Sequence, residues 1–326
     1  MTFDDNRLLP ALFGEQNSHL RDIEKAFNVQ IHSRGNQIAI LGRRSDTQQA
    51  RQILNILWDK LRKGADVDGQ TVDAALRFSI ADKENKVSIA PTNLKNFAET
   101  KINIAVRKKT IAPRSPVRAT YREPMQKHQP VFGIGPAGTG KTYLAVAHAV
   151  ALFEQERIER IILSRPAVEA GENLGFLPGD LKEKIDPYLR PLYDALYDTL
   201  PGEQAMKGLE SGEIEVAPLA FMRGRTLANS FVILDEAQNC TPVQMKMFLT
   251  RLGENSRMAI TGDPSQVDLP LGAKSGLRDA LDILDGVPGV ATVHFSDADV
   301  VRHPLVTRIV KAYNARERDL LGDKGK

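Results

Sequence analysis

The twelve residues Val131 to Thr142, V-F-G-I-G-P-A-G-T-G-K-T, decide how the rest of the chain is read. Gly135, Gly140, Lys141 and Thr142 fill the fixed positions of G-x-x-x-x-G-K-[ST], with Pro136, Ala137, Gly138 and Thr139 between them. Ahead of them Val131, Phe132 and Ile134 form a short apolar run, expected to be a buried strand. Behind them Tyr143 to Phe153 is alanine-rich and free of Gly and Pro, which predicts a helix lying under a sheet. Strand, glycine loop and helix in that order aim backbone N–H groups past the helix N-terminus, where the macrodipole favours anions and only glycine allows close approach. The stretch therefore predicts a polyphosphate site. Lys141 supplies an ammonium for the β and γ oxygens, and the Thr142 hydroxyl is a hard oxygen ligand for Mg²⁺.

Downstream, three further apolar runs deliver polar residues to what should be the same sheet edge. Ile161-Ile162-Leu163 leads to Ser164 and Arg165, and ligands of open α/β sheets bind at strand C-terminal ends. Phe231 to Leu234 ends in Asp235-Glu236-Ala237-Gln238; an acidic residue at that tip can hold the water shell of Mg²⁺, and the Glu after it can polarise a water toward the γ-phosphate. Met258-Ala259-Ile260 leads to Thr261-Gly262-Asp263-Pro264-Ser265-Gln266, where Gln266 can bond the γ-phosphate. A last strand is expected at Val290 to Phe295 and a final helix at Leu305 to Tyr313. The glycine-punctuated Ala167 to Asp180 and a helix over Lys182 to Leu200, broken by Pro187 and Pro191, form a large insertion. Thr241 and Pro242 mark a clean helix start.

Upstream, residues 1–64 read as a small α/β module. Leu20, Ile23 and Phe27 share a helix face, Val29 and Ile31 pair with Ile38 and Ile40 across a turn, and a second helix runs from Thr47 to Gly64. Gly14-Glu15-Gln16-Asn17 before the first helix resembles the G-x-x-G loop of KH-type RNA-binding modules, with Asn17 at the second glycine. Phe27 and Trp58 fall at core spacing. Residues 65–112 read as a linker, carrying a basic strip that Pro113 and Pro116 keep extended from Lys101 to Arg122 and that could track a phosphate backbone. The nucleotide core spans 113–313, and 314–326 is a charged tail.

Composition sets outer bounds. Hydrophobic residues at 42%, charged residues at 26% and a formal net charge of +3 describe a soluble globular chain. No apolar run nears the roughly 18 residues of a membrane span, so a cytoplasmic protein is expected. Cys240 is the single cysteine, which excludes an internal disulfide and a Cys-based zinc site. The six histidines have no metal-ligand spacing.

The order of P-loop, D-E-A-Q and T-G-D-P-S-Q, together with Ser164 to Asp180, Asp186 to Leu196, Ala217 to Leu227, Gln244 to Arg251 and Val300 to Pro304, resembles the PhoH family of P-loop ATPases. That resemblance implies an α/β, RecA-like P-loop NTPase core with a parallel sheet, similar to superfamily 1 helicases, behind the small KH-like domain. It further implies ATP and Mg²⁺ as cofactors, hydrolysis coupled to RNA, a place in RNA processing or the phosphate-starvation response, and a YbeY-type endoribonuclease as partner. By residue it places Lys141 and Thr142 on phosphates and Mg²⁺, Asp235 on the metal, Glu236 on the attacking water, Gln266 on the γ-phosphate and Arg165 toward nucleic acid. Helicase-like members recognise adenine through a Gln in a P-x-Q-x-x-Y pattern; Pro116 to Tyr121 has Arg118 at that place, and an Arg cannot present paired donor and acceptor. Tyr121 is then the residue expected to stack on the base, and little chain remains before Val131 for a helix. Adenine against guanine stays open.

One P-loop makes one nucleotide core, so unwinding requires a homo-oligomeric ring, such as a hexamer, with an arginine supplied in trans. Arg223, Arg225, Arg251 and Arg302 are the candidates. Two other classes compete. A small-molecule kinase is disfavoured by Glu236, because an activated water competes with the acceptor, and a scaffold switched by ATP would bind without turnover.

Overall fold

The computed structural model describes residues 1–84, 97, 103–166, 181–270 and 272–301, with single positions 306, 309 and 316; the side chains of 82–84 and 181–186 are not included. The expected final helix apart from positions 306 and 309, Arg302 and the glycine-punctuated segment 167–180 therefore lie outside the described residues.

The N-terminal unit runs α1 (Leu9–Phe13), α2 (Ser18–Phe27), β1 (Gln30–Arg34), β2 (Gln37–Leu41), α3 (Arg44–Arg62) and α4 (Gly69–Glu84). β1 and β2 form the expected antiparallel hairpin, with Ile31 opposite Ile40, and Thr2 bridges Gln37. Phe27 and Trp58 are buried, and Leu12, Ile23, Leu54 and Leu57 are wholly so. The linker expected from residue 65 is not one in its first part: α4 packs on α2 and α3 and buries Val72, Ala75 and Phe78 completely. Its periodicity is weak because it is enclosed on most sides, and an enclosed helix needs no polar stripe.

The basic strip is not extended either. β3 (Ile104–Val106) and β4 (Lys109–Ile111) pair as a hairpin, and α5 (Pro116–Lys127) follows. Pro116 stands at the first helical position, where its missing N–H is no loss, and Ser115 caps the helix by accepting from Arg118 N. Pro113 and Pro116 thus frame a helix start. The short stretch before Val131 does hold a helix, because α5 begins ahead of Tyr121.

The core comprises β5 (Pro130–Ile134), α6 (Lys141–Glu154), β6 (Arg160–Arg165), α7 (Leu181–Thr199), α8 (Gly202–Ser211), β7 (Ile214–Pro218), β8 (Ser230–Leu234), α9 (Pro242–Leu249), β9 (Arg257–Gly262), α10 (Gly276–Leu284) and β10 (Ala291–His294). α7 passes through Pro187 and Pro191 as one helix, where the sequence had suggested a break. The sheet order is β10-β5-β9-β8-β6-β7, and every pairing is parallel. Alternate strand residues serve the two faces. Val131, Ile161, Leu163 and Ile233 pack with α5, α6 and α7, whereas Phe132, Ile162, Val232 and Ile260 pack with α9 and α10. Burial on both faces explains the continuous apolar runs. Parallel strands put all their C-terminal ends on one edge, and the P-loop, Arg165, Asp235 and Asp263 emerge there together. No helix among the described residues is long and apolar enough to cross a membrane.

Candidate active site

The loop between β5 and α6 carries the shape its glycines predict. Gly135 (φ 144°), Gly138 (φ 83°) and Gly140 (φ 80°) all take positive φ, and a Cβ on Gly135 would overlap the carbonyl oxygen of Phe295. Lys141 opens α6 and folds back, its Nζ donating to Gly135 O at 2.6 Å and Pro136 O at 2.8 Å. Burial pulls its pKa below the ordinary lysine value, against Asp263, Asp235 and Glu236, which favour the charged form. An ammonium resting on loop carbonyls is poised to exchange them for phosphate oxygens.

Thr142 and Asp235 meet as the sequence predicts. The Thr142 hydroxyl donates to Asp235 Oδ1 at 2.5 Å, and Thr261 from the end of β9 donates to the same oxygen at 2.8 Å. Two hydroxyls around one carboxylate form an all-oxygen donor set of the kind Mg²⁺ prefers. Glu236 follows in the left-handed region (φ 52°), with Arg165 Nη2 at 3.4 Å from Oε1 and Gln238 Nε2 donating to Oε2. Arg165 also donates to Tyr188 O. Gln266 reaches the cleft, its Nε2 donating to Asp263 Oδ2 at 2.8 Å, and Asp263 N donates to Gln238 Oε1 at 3.1 Å. Ala137 to Thr142 except Thr139, with Asp235, Glu236 and Gln266, line a cleft of about 520 Å³. Thr139 is buried beneath, its hydroxyl donating to Pro136 O.

Tyr121 does not belong to this site. Its ring is wholly buried, edge-on to Phe295 at 5.2 Å, and its hydroxyl lies against Gly133 with no hydrogen-bond partner. A base cannot reach it. The Arg118 guanidinium instead faces the loop, donating to Gly138 O at 3.3 Å, and burial lowers its pKa to about 10. Part of the basic strip is spent internally: Lys108 bonds Tyr197 O, Lys109 pairs with Asp198, and Arg122 donates to Asn103 O, whereas Arg107 and Arg114 are exposed.

The arginines expected in trans divide. Arg225 is held by both oxygens of Glu215 at 2.6 and 2.7 Å, and Arg251 by the carbonyls of Met247 and Arg225. Arg223 is exposed. Residues that sequence reading missed are Thr261, Gln238, Asp194 and Asp198. Thr261 was signalled by its place one residue after the β9 apolar run. Pro191, Asp194, Ala195 and Asp198 fall at helical spacing along the face of α7 that lines the cleft, a pattern hidden by the assumed break.

Comparison with known proteins matches the family profile described as "PhoH-like protein" to residues 110–314. A PhoH-like protein of Bacillus subtilis (strain 168) is 49% identical over 304 residues, 93% of each chain. Another, from Mycobacterium tuberculosis (strain ATCC 25618 / H37Rv), is 47% identical over 306 residues, 94% of this chain and 85% of its own. Protein PhoH of Escherichia coli (strain K12) is 46% identical over 206 residues, 63% of this chain and 58% of its own. Among solved structures, the UvsW helicase from Bacteriophage T4 aligns over 82% of this chain and 99% of its own, at 12% identity and a TM-score of 0.37.

Proposed function

The chain belongs to the PhoH-like protein family, and from that premise and the geometry of the cleft we propose that it hydrolyses ATP with Mg²⁺ and couples hydrolysis to RNA. The observation that carries the reading is the meeting, at one sheet edge, of Lys141, the Thr142–Asp235–Thr261 cluster and Glu236. Lys141 and the loop amides hold the β and γ phosphates, while Thr142 and Asp235 hold Mg²⁺. Mg²⁺ held there would supply positive charge for the oxygens around the breaking bond. Glu236 accepts the proton of the water that attacks the γ-phosphorus; the bond to the β-phosphate oxygen breaks, and ADP and phosphate leave. Gln266 lies within the cleft to bond the γ-phosphate.

Two features favour RNA as the coupled partner. Arg165 sits at a strand end paired with Glu236, so a phosphodiester that attracts Arg165 frees the base. In the N-terminal unit, Gly14, Gln16 and Asn17 all take positive φ between α1 and α2. Asn17 thus has a positive φ where the KH-like reading expects glycine, and the order helix, loop, helix, hairpin, helix supports that reading. RNA processing beside a YbeY-type endoribonuclease in the cytoplasm, or a phosphate-starvation role, is the setting this reading implies. A homo-oligomeric ring would take Arg223 or Arg302 as its arginine in trans, because Arg225 and Arg251 are engaged within the chain.

The test is phosphate release from Mg-ATP with and without single-stranded RNA at two salt concentrations. Stimulation that weakens with salt, and that is lost in the Gln16→Asp/Asn17→Asp double variant, supports the coupling. Turnover indifferent to RNA overturns it and leaves an ATPase that acts on a protein partner.

A further inference from the structure

The phosphate cleft does not end at the first turn of α6. Gly140, Tyr143 and Asp198 line it and also line a second cavity, of about 570 Å³, that lies between the N-terminal unit and the core. Asp235, Glu236 and Gln266 take no part in this second cavity, so it extends from the end of the loop remote from the hydrolytic residues. One wall comes from α4 and the turn before it, through Asp68, Gln70 and Ala74. The opposite wall comes from β4, the segment that leads to α5 and the first turn of α5, through Ala112 and Arg118. At the neck Lys109 pairs with Asp198 and stands 5.5 Å from the centre of the Tyr143 ring.

This wall chemistry suits a nucleoside. Ala74, Phe97, Ala112 and Leu144 supply apolar surface for a base, Asp66 and Asp68 carboxylate acceptors for a ribose, and Gln70, Arg114 and Arg118 donors, a mixed lining in which apolar and charged groups alternate. A triphosphate seated on Gly135 to Thr142 must carry its sugar and base out past one end of the loop. Tyr121, the platform expected from sequence, is sealed in the core and offers a base no surface. We propose that this cavity receives the nucleoside of the bound triphosphate, so that α4 of the N-terminal unit forms part of the nucleotide site and is drawn to the core by the ligand. The proposal rests on the nucleotide reading above. It adds that the N-terminal unit senses the nucleotide directly. Arg77 of α4 bonds Ala298 O, and Val301 N donates to Gly138 O at 3.2 Å, so the same elements are already joined at the back of the loop.

The experiment compares Mg-ATP with Mg-tripolyphosphate, which carries the phosphates and no nucleoside, on the full chain. Gln70 and Ala112 are both exposed at the cavity, and Gln70→Trp and Ala112→Trp fill it without touching the phosphate loop. Affinity for ATP is expected to fall about tenfold or more in each variant, with tripolyphosphate affinity unchanged. In the unaltered chain, hydrogen exchange over residues 66–76 is expected to slow with Mg-ATP and not with Mg-tripolyphosphate. This arm needs no variant and decides the matter even where a tryptophan is not accommodated. Unchanged ATP affinity in folded variants, or equal protection by the two ligands, overturns the proposal while the phosphate site stands. Failure of the unaltered chain to bind either ligand overturns the nucleotide reading itself, and this proposal with it.

Discussion

Glu236 is held in a conformation few residues adopt, and its neighbours explain why it stays there. Its positive φ costs about 1 kcal/mol or more, offset by Arg165 on one carboxylate oxygen and Gln238 on the other. On the proposed reading, the pairing restrains the base until RNA draws Arg165 away. Arg165→Ala is therefore expected to raise RNA-independent turnover severalfold and to abolish the response to RNA; a variant that still responds fully would remove Arg165 from the coupling. Tyr121 gives a second prediction. Its buried hydroxyl has no partner, so Tyr121→Phe should leave ATP affinity unchanged and stabilise the fold by up to about 1 kcal/mol, read from urea unfolding. At this scale the sequence was legible where a motif fixes both residue and direction, as for Lys141, Thr142 and Asp235. It misled at Tyr121, because a spacing rule says nothing of which way a ring points. Met125, four residues on and also buried, places Tyr121 on the core face of α5.

His148 shows what an element imposes on a side chain. It lies on α6 beneath the sheet, edge-on to Phe231 at 5.8 Å, and its Nε2 has no partner. Burial above all, then Arg122, Arg257 and Arg157, lowers its pKa from 6.5 to about 3. The unfolded chain takes up a proton below pH 6.5 and the folded chain does not, so stability falls as pH drops from 6.5 toward 3. The expected slope from this one group is about 1.4 kcal/mol per pH unit. Urea midpoints between pH 6.5 and 4 should drop less steeply in His148→Leu, and equal slopes would contradict the assignment. Elements were legible where strands are buried on both faces or helices carry a cap, as at Thr241, whose capping box with Gln244 is complete. They were not legible at α4 and α5, where enclosure erased the periodicity and proline was read as a breaker when it stood at a helix start.

At the scale of the molecule, the boundary drawn at residue 64 cuts through a core. Val72, Ala75 and Phe78 of α4 close the cluster formed by Leu12, Ile23 and Leu57, and Phe97 stacks on Phe78 at 5.0 Å. A fragment ending at residue 64 is expected to unfold without cooperativity, and one ending at 102 to melt as a unit, followed by circular dichroism. The cluster also takes in Ala119 of α5, so the two units share a packed surface. No pattern along the chain reveals such a surface, because it is made by helices far apart in sequence. The arrangement as a whole converges on the sheet edge, where the proposed reading has Glu236 activate water at a phosphate site held by Lys141. The most direct measurement is ATP binding and phosphate release side by side in the unaltered chain and Glu236→Gln. The expected result is unchanged affinity with turnover reduced about a hundredfold or more; a Glu236→Gln chain that hydrolyses ATP at the unaltered rate would contradict it.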